Sequence, residues 1–120
     1  MKRICRAFRH SFRGLTAVLK SDVSFRQEII LCIALFFVIF FLPLDYLAKS
    51  LMVFSLILIL IMELINSAIE TIIDRISTEK HPLSKKAKDI GSALVLLAFI
   101  NAVIIWAIIL FREIQNMNIY

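Results

Sequence analysis

The chain has 120 residues, of which 61% are hydrophobic, and its 14 basic and 9 acidic side chains give a net charge of +5. Only two glycines and two prolines occur, and the mean hydropathy is +0.90. This composition excludes an ordinary water-soluble domain and favours a small all-α membrane protein. Its two cysteines have neither the compartment nor the spacing of a disulfide or a zinc site.

The first segment, at about residues 3–20, has the pattern of a basic amphipathic helix. Lysines and arginines occupy one face, and the opposite face carries Ile4, Phe8, Phe12, Leu15 and Leu19. Such a helix lies in the membrane interface, with its cations among anionic headgroups. We therefore expect a surface helix and no nucleic-acid partner, with packing on a soluble partner as the alternative.

Three apolar stretches follow and predict transmembrane helices at about residues 28–44, 48–75 and 86–112. Pro43 ends the first stretch, and Ser21 with Asp22 marks the boundary before it. Ser84 is a candidate cap for the third helix. We treat residues 1–120 as one domain.

The basic residues predict the orientation of these helices. They are concentrated before the first span and between the second and third spans. The positive-inside rule then places the N-terminus and the second loop in the cytoplasm, with the C-terminus outside. The first span starts too late to be the apolar region of a cleaved signal peptide, so we expect the N-terminus to be retained.

Polar side chains interrupt the second span at spacings of three and four residues: Glu63, Asn66, Glu70 and Asp74. Charged side chains inside a bilayer cost several kcal/mol or more, so a row of acids on one helical face indicates an ion, proton or substrate site. Glu63 lies about 20 Å along the span and Glu70 about 30 Å. We expect Glu63 to be submerged and Glu70 to lie at the membrane edge.

No glycine-rich phosphate-binding motif of a common type is present, and the two glycines exclude one. Phosphoryl transfer would therefore depend on acids that hold Mg²⁺, on basic side chains and on a carboxylate base. Glu63 suits the base because burial favours a proton acceptor, and Glu70 suits the metal. A divalent cation or Lys88 would relieve their mutual repulsion, and Asp74 would pair with Arg75 or with a base of the second loop.

The run from Glu63 to Arg75 resembles the core of the bacterial integral-membrane diacylglycerol kinases. The segments Ala87-Lys88-Asp89 and Phe25-Arg26-Gln27-Glu28 add to this resemblance, which extends over nearly the whole chain. It implies an ATP-dependent lipid kinase of the bacterial inner membrane that uses Mg²⁺. It also implies a homotrimer with composite sites built from neighbouring subunits.

The resemblance also implies roles for individual residues. Glu63 would be the general base on the lipid hydroxyl, and Glu70 with Asp22 would hold Mg²⁺; Asp22 stands where the family commonly has glutamate. The nucleotide-contacting positions are Arg3, His10, Asp22, Glu70, Glu79, Lys80, His81, Lys88 and Asp89, with His10 in place of a usual tyrosine. The lipid-contacting positions are Ser11, Ser24, Glu28, Glu63, Asn66 and Ser92.

Two alternatives stay open. The first is the sister activity, phosphorylation of undecaprenol, although the Phe-Arg-Gln-Glu segment and Asp74-Arg75 resemble the diacylglycerol branch more. The second is a small carrier in which Glu63 couples transport to protons. A carrier explains one buried acid but not the cluster of Glu70, Asp74, Lys88 and Asp89 beside a basic loop.

Overall fold

The computed structural model describes residues 1–118. In this range the regular elements are four α-helices: α1 (Lys2–Ser21), α2 (Val23–Phe41), α3 (Tyr46–Ile76) and α4 (Pro82–Asn118). The last three are each long and apolar enough to cross a membrane. The predicted all-α membrane fold with three spanning helices is thereby confirmed.

The corner between α1 and α2 is built by reciprocal capping. Asp22 is extended, and its Oδ1 accepts a hydrogen bond of 3.3 Å from the backbone N–H of Phe25. In the other direction, Arg26 Nη1 donates to the carbonyls of Leu19 and Lys20 at 3.2 and 3.3 Å. Asp22, in the connection, thus pairs a backbone N–H at the start of α2, and Arg26 of α2 pairs carbonyls at the end of α1.

Helix α2 begins and ends earlier than the predicted span at about residues 28–44. It begins at Val23 because the cap at Asp22 lets the polar residues before the apolar run join the helix. It ends at Phe41 because Leu42 precedes Pro43, and a residue before proline favours the extended conformation that Leu42 adopts.

Helix α4 also begins earlier than predicted, at Pro82 instead of near residue 86. Proline suits the first helical position because its missing N–H would be unpaired there in any case. His81 Nδ1 accepts a hydrogen bond of 3.1 Å from the backbone N–H of Leu83. His81 therefore takes the capping role predicted for Ser84, which lies inside the helix.

Helix α3 is the centre of the chain, since it packs against both α2 and α4, whereas α1 packs against α2. The core between α2, α3 and α4 is apolar apart from Ser55 and Glu63, which are 0% and 6% exposed. The apolar face of α1 has no such cover, because Ile4, Phe8 and Phe12 are exposed. This face is available to a membrane interface, where the sequence predicts it to lie.

The two ends of the bundle differ in charge. The end that carries Asp22, Glu28, Glu63 and Glu70 is called the acidic end below. At the opposite end, Arg112 Nη2 pairs with Asp45 Oδ1 at 2.8 Å and ties the connection between α2 and α3 to α4.

Candidate active site

Glu63 is the buried acid at the centre of the acidic end. It lies on the face of α3 that meets α2, where Glu28 is its neighbour. Asp22 is close enough to Glu28 for electrostatic interaction with it. On α2, Phe25, Glu28 and Cys32 recur at helical spacing, and the burial of Phe25 and Cys32 turns Glu28 toward α3.

Two hydrogen-bond acceptors near Glu63 have no partner among the described residues. Glu28 Oε2 and Asn66 Oδ1 are both buried. A buried acceptor without a donor costs about 1–3 kcal/mol. The arrangement therefore favours a ligand that brings a donor, such as a hydroxyl group.

Asn66 is held at close range by α4. The residue that faces it is the buried Gly91, and a Cβ built there would overlap the side-chain oxygen of Asn66 and contact Ile69 Cδ1 at 3.6 Å. Only glycine leaves the Asn66 amide its present space. Ser92, the next residue, is exposed.

Glu70 and Glu63 share a face of α3, but Glu70 is exposed. The reason lies in where α2 begins. Ser67 Oγ donates to Asp22 Oδ2 at 3.1 Å, which sets the start of α2 level with Ser67. Glu70 lies about one turn beyond that level, so α2 does not cover it.

An apolar groove of about 360 Å³ opens beside Glu28, between α2 and α4, with α3 as its floor. Glu28 is its only charged lining residue. The buried residues of its lining are Cys32, Leu56, Ile59 and Ala102. The rim is exposed and includes Leu31, Phe99 and Val103. The groove therefore joins Glu28 to the lipid-facing surface of the bundle.

A second cavity, of about 800 Å³, lies where α3 meets α4 beyond the acidic end. Five of the residues predicted to contact the nucleotide line it: Glu79, Lys80, His81, Lys88 and Asp89. Lysines and a histidine together offer donors to phosphate oxygens. We call it the basic cavity.

Two ion pairs border the basic cavity. Lys88 Nζ lies 3.0 Å from Asp74 Oδ1, and Lys85 Nζ lies 2.6 Å from Asp89 Oδ2. Asp74 thus pairs with a base of the predicted second loop, one of its two predicted partners, although the structure places Lys88 on α4. The pairing also corrects the expectation that Lys88 offsets the repulsion between Glu63 and Glu70, because its ammonium is bound to Asp74.

Other predicted residues lie elsewhere on the chain. Arg3, His10 and Ser11 are exposed on α1, where Ser11 Oγ donates to the carbonyl of Ala7 at 2.9 Å. Ser24 is exposed on the first turn of α2. None of these four lines the groove or the basic cavity.

The acids at the acidic end are spread along the helices. Among residues 1–118, no group of three or more His, Cys, Asp or Glu side chains is close enough to hold a metal ion. Asp22 already accepts hydrogen bonds on both carboxylate oxygens, whereas the carboxylate of Glu70 is exposed.

The sequence analysis did not identify Trp106, which lines the groove at the end away from Glu28. Trp106 is the only tryptophan and lies seven residues after Phe99, so both lie on one helical face. That spacing could have indicated that Trp106 and Phe99 line the same site. In an apolar run, however, the sequence does not show which helical face lines a groove. The bond from Ser67 to Asp22 joins distant parts of the chain and had no sequence signal.

Comparison with known proteins identifies the family of the chain. The profile of the family "Prokaryotic diacylglycerol kinase" matches residues 9–110. A diacylglycerol kinase of Escherichia coli strain K12 is 42% identical over 111 residues, covering 92% of this chain and 91% of the relative. One of Pseudomonas aeruginosa is 43% identical, covering 92% and 89%, and one of Helicobacter pylori is 38% identical, covering 88% and 82%. The chain belongs to the prokaryotic diacylglycerol kinase family.

Proposed function

We propose that this protein is a membrane-embedded kinase that transfers the γ-phosphoryl group of ATP to the free hydroxyl of 1,2-diacylglycerol, yielding phosphatidic acid and ADP. One observation carries the proposal in a chain of this family. A buried carboxylate, Glu63, lies beside two unpartnered acceptors, Glu28 Oε2 and Asn66 Oδ1, next to an apolar groove that opens to the side. A lipid with one hydroxyl group brings one donor to this group of acceptors, and its apolar chain matches the groove.

In the proposed reaction, Glu63 accepts the proton of the lipid hydroxyl. The hydroxyl oxygen forms a bond to the γ-phosphorus, and the bond from that phosphorus to the oxygen bridging to the β-phosphate breaks. ADP takes the electron pair of the broken bond. Phosphoryl transfer depends mainly on positioning and charge stabilisation. The hydroxyl has a single proton, which is directed to Glu63, so Asn66 would orient the hydroxyl by donating from its side-chain amide N–H to the hydroxyl oxygen, and Glu28 would border the site.

The basic cavity is the proposed seat of the nucleotide. Lys80 and Lys88 would donate to phosphate oxygens, and His81 and Asp89 complete the polar lining. The ion pair between Lys88 and Asp74 keeps the ammonium at the wall of the cavity. Arg3 and His10 would approach the nucleotide from α1.

Mg²⁺ fits the donor set as a companion of ATP, because it prefers oxygen ligands and commonly takes one or two carboxylates plus phosphates and water. Glu70 would hold it through its exposed carboxylate, with Asp22 as the second ligand. When bound, it would supply neutralisation of charge on the transferring phosphoryl group.

The proposal includes a homotrimer in which neighbouring copies complete each other's sites. It is supported by the separation, within one chain, of the residues on α1 from those of the basic cavity. Mixing Glu63→Gln with Lys88→Gln tests it, at an ATP concentration far below the raised KM of the second variant, where both variants have low activity. Activity in mixed micelles above the sum of the two variants supports composite sites, whereas activity no higher than that sum argues against them.

The protein is a multi-pass membrane protein, and we propose that α1 and the connection between α3 and α4 face the cytoplasm. Cys5 offers a test, because it is exposed near the N-terminus whereas Cys32 is buried. A membrane-impermeant thiol reagent should label Cys5 in inverted inner-membrane vesicles but not in intact spheroplasts. Labelling in spheroplasts contradicts the orientation.

The deciding assay offers diacylglycerol and undecaprenol separately to the purified protein in mixed micelles with Mg-ATP. We expect phosphatidic acid from the first and little product from the second. Faster phosphorylation of undecaprenol would assign the sister activity instead. If neither lipid is phosphorylated, the kinase proposal is rejected and the proton-coupled carrier becomes the remaining alternative.

A further inference from the structure

The only buried neutral polar side chain of the core, among the described residues, belongs to Ser55 on α3. Its hydroxyl donates to the carbonyl of Met52 at 2.6 Å and accepts from Trp106 Nε1 at 3.0 Å. Ser55 thus links a backbone carbonyl of α3 to the indole of α4. Neither residue has a part in the proposed chemistry at Glu63.

This link fixes the orientation of the indole. A tryptophan side chain has one hydrogen-bond donor and no acceptor, and in an apolar setting that donor needs a partner. Among residues 1–118, the side-chain partner of Trp106 is Ser55 Oγ alone, whose own proton is donated to the carbonyl of Met52. Water does not compete for these groups inside a bilayer, so the indole is held in one position.

The indole lies at the deep end of the groove. Along α2 the lining runs from Glu28 to Leu35, and along α4 it runs from Phe99 to Trp106. Seven residues of helix span about 10 Å in each case. Glu28 therefore marks the polar end of the groove, and Trp106 lies at the other end of the lining contributed by α4, about 10 Å along that helix from Phe99.

We propose that Ser55 is a positioning residue that fixes Trp106 as the end wall of the groove and so sets which acyl-chain lengths the kinase accepts. The proposal rests on the proposed function, since the occupant of the groove is an acyl chain of the lipid substrate. Continuity of the groove with Glu28 supports that occupant, because a hydroxyl held at the polar end directs its acyl chain toward Trp106.

The test compares Ser55→Ala with Ser55→Thr and with the control Ser50→Ala. Thr keeps the hydroxyl, whereas Ala removes it. Ser50 is on the same helix but is exposed, and its hydroxyl contacts only the carbonyl of Tyr46, at 2.8 Å. Initial rates are measured on diacylglycerols with saturated chains from short to long, so that KM and kcat are obtained for each length.

We expect Ser55→Ala to raise the KM for the preferred chain length about fivefold, the scale of one hydrogen bond, and to flatten the length preference. Ser55→Thr and Ser50→Ala should retain the wild-type profile. A purely structural role would lower kcat equally at all lengths. An unchanged length preference in Ser55→Ala would therefore overturn the proposal.

A double-mutant cycle with Trp106→Phe adds a control for altered folding. If Ser55 acts through the indole, Ser55→Ala should have no further effect on KM once Trp106 is phenylalanine. A full additional effect in that background contradicts the proposed path.

Because Trp106 is the only tryptophan, its fluorescence reports the occupant of the groove without reference to activity. Diacylglycerol brominated at the end of its chain should quench Trp106 more than diacylglycerol brominated near the glycerol. It should also quench more than equally brominated phosphatidylcholine at the same mole fraction. Equal quenching by all three contradicts an acyl chain in the groove. If the quenching order holds but no lipid is phosphorylated, the groove assignment stands and the proposed function fails.

Discussion

Gly91 and Asn66 face each other where α4 passes α3, and a Cβ at position 91 would overlap the side-chain oxygen of Asn66. This contact is what leaves Asn66 Oδ1 buried without a donor. Close approach of the two helices and the position of the Asn66 amide thus have one origin.

Gly91→Ala should displace the Asn66 amide, because the added methyl group has no free space. We expect a fall in kcat/KM for diacylglycerol of at least about tenfold, since misplacing an orienting group by about 1 Å can cost up to 100-fold. Gly14→Ala is the matched control, because a Cβ there meets nothing within 4 Å. Equal activities of the two variants would show that Asn66 does not depend on Gly91.

Glu63→Gln should abolish turnover while nucleotide binding persists, because the change removes the proton acceptor but preserves size. Loss of general-base catalysis lowers kcat by about 100-fold or more. Turnover is followed by transfer of labelled phosphate in mixed micelles, and ATP affinity by equilibrium dialysis. Glu113→Gln, near the opposite end of the bundle, serves as the control. Normal turnover of Glu63→Gln would refute the assigned base.

Glu70→Gln should raise the Mg²⁺ concentration needed for half-maximal activity, or abolish activity, because an amide oxygen is a weaker ligand for a hard cation than a carboxylate. The measurement is an Mg²⁺ titration at fixed ATP. An unchanged titration curve would move the metal site to other residues.

Lys88→Gln should raise the KM for ATP about tenfold, because a charged hydrogen bond to phosphate is worth about 1.5–3 kcal/mol at most sites. Lys86→Gln is the matched control, since Lys86 does not line the basic cavity. The thermal midpoint should change little, because the exposed pair of Lys88 with Asp74 contributes about 1 kcal/mol or less. Equal KM values for both variants would remove Lys88 from the nucleotide site.

Breaking the pair of Asp45 with Arg112 should leave catalysis unchanged, because it lies at the end of the bundle opposite to Glu63. A double-mutant cycle of Asp45→Asn and Arg112→Gln should give a coupling of about 0.2–1 kcal/mol in the free energy of unfolding. Loss of activity in either single variant, with stability intact, would contradict this separation.

Features that depend on local sequence could be predicted, and features that depend on packing could not. Periodicity and apolar length give the three spanning helices, and the depth of Glu63 follows from its position in α3. The cap at His81 was not predicted, because serine caps helices more often than histidine does. The start of α4 was also not predicted, because it is set by a proline at the first helical position. The hydrogen bond between Ser55 and Trp106 was not predicted, because it joins two apolar helices. The sequence of either helix alone does not specify how the two are rotated relative to each other.

The connections between the helices are short: Asp22 alone, residues 42–45 and residues 77–81. Neither proline lies inside a described helix, since Pro43 is in a connection and Pro82 is the first residue of α4, so none of these helices has a proline kink. A rearrangement that admits a substrate would then move whole helices relative to one another, with the change in backbone conformation confined to these three connections, called joints here. The first joint is the narrowest of them, and it is also the one that carries a carboxylate of the acidic end.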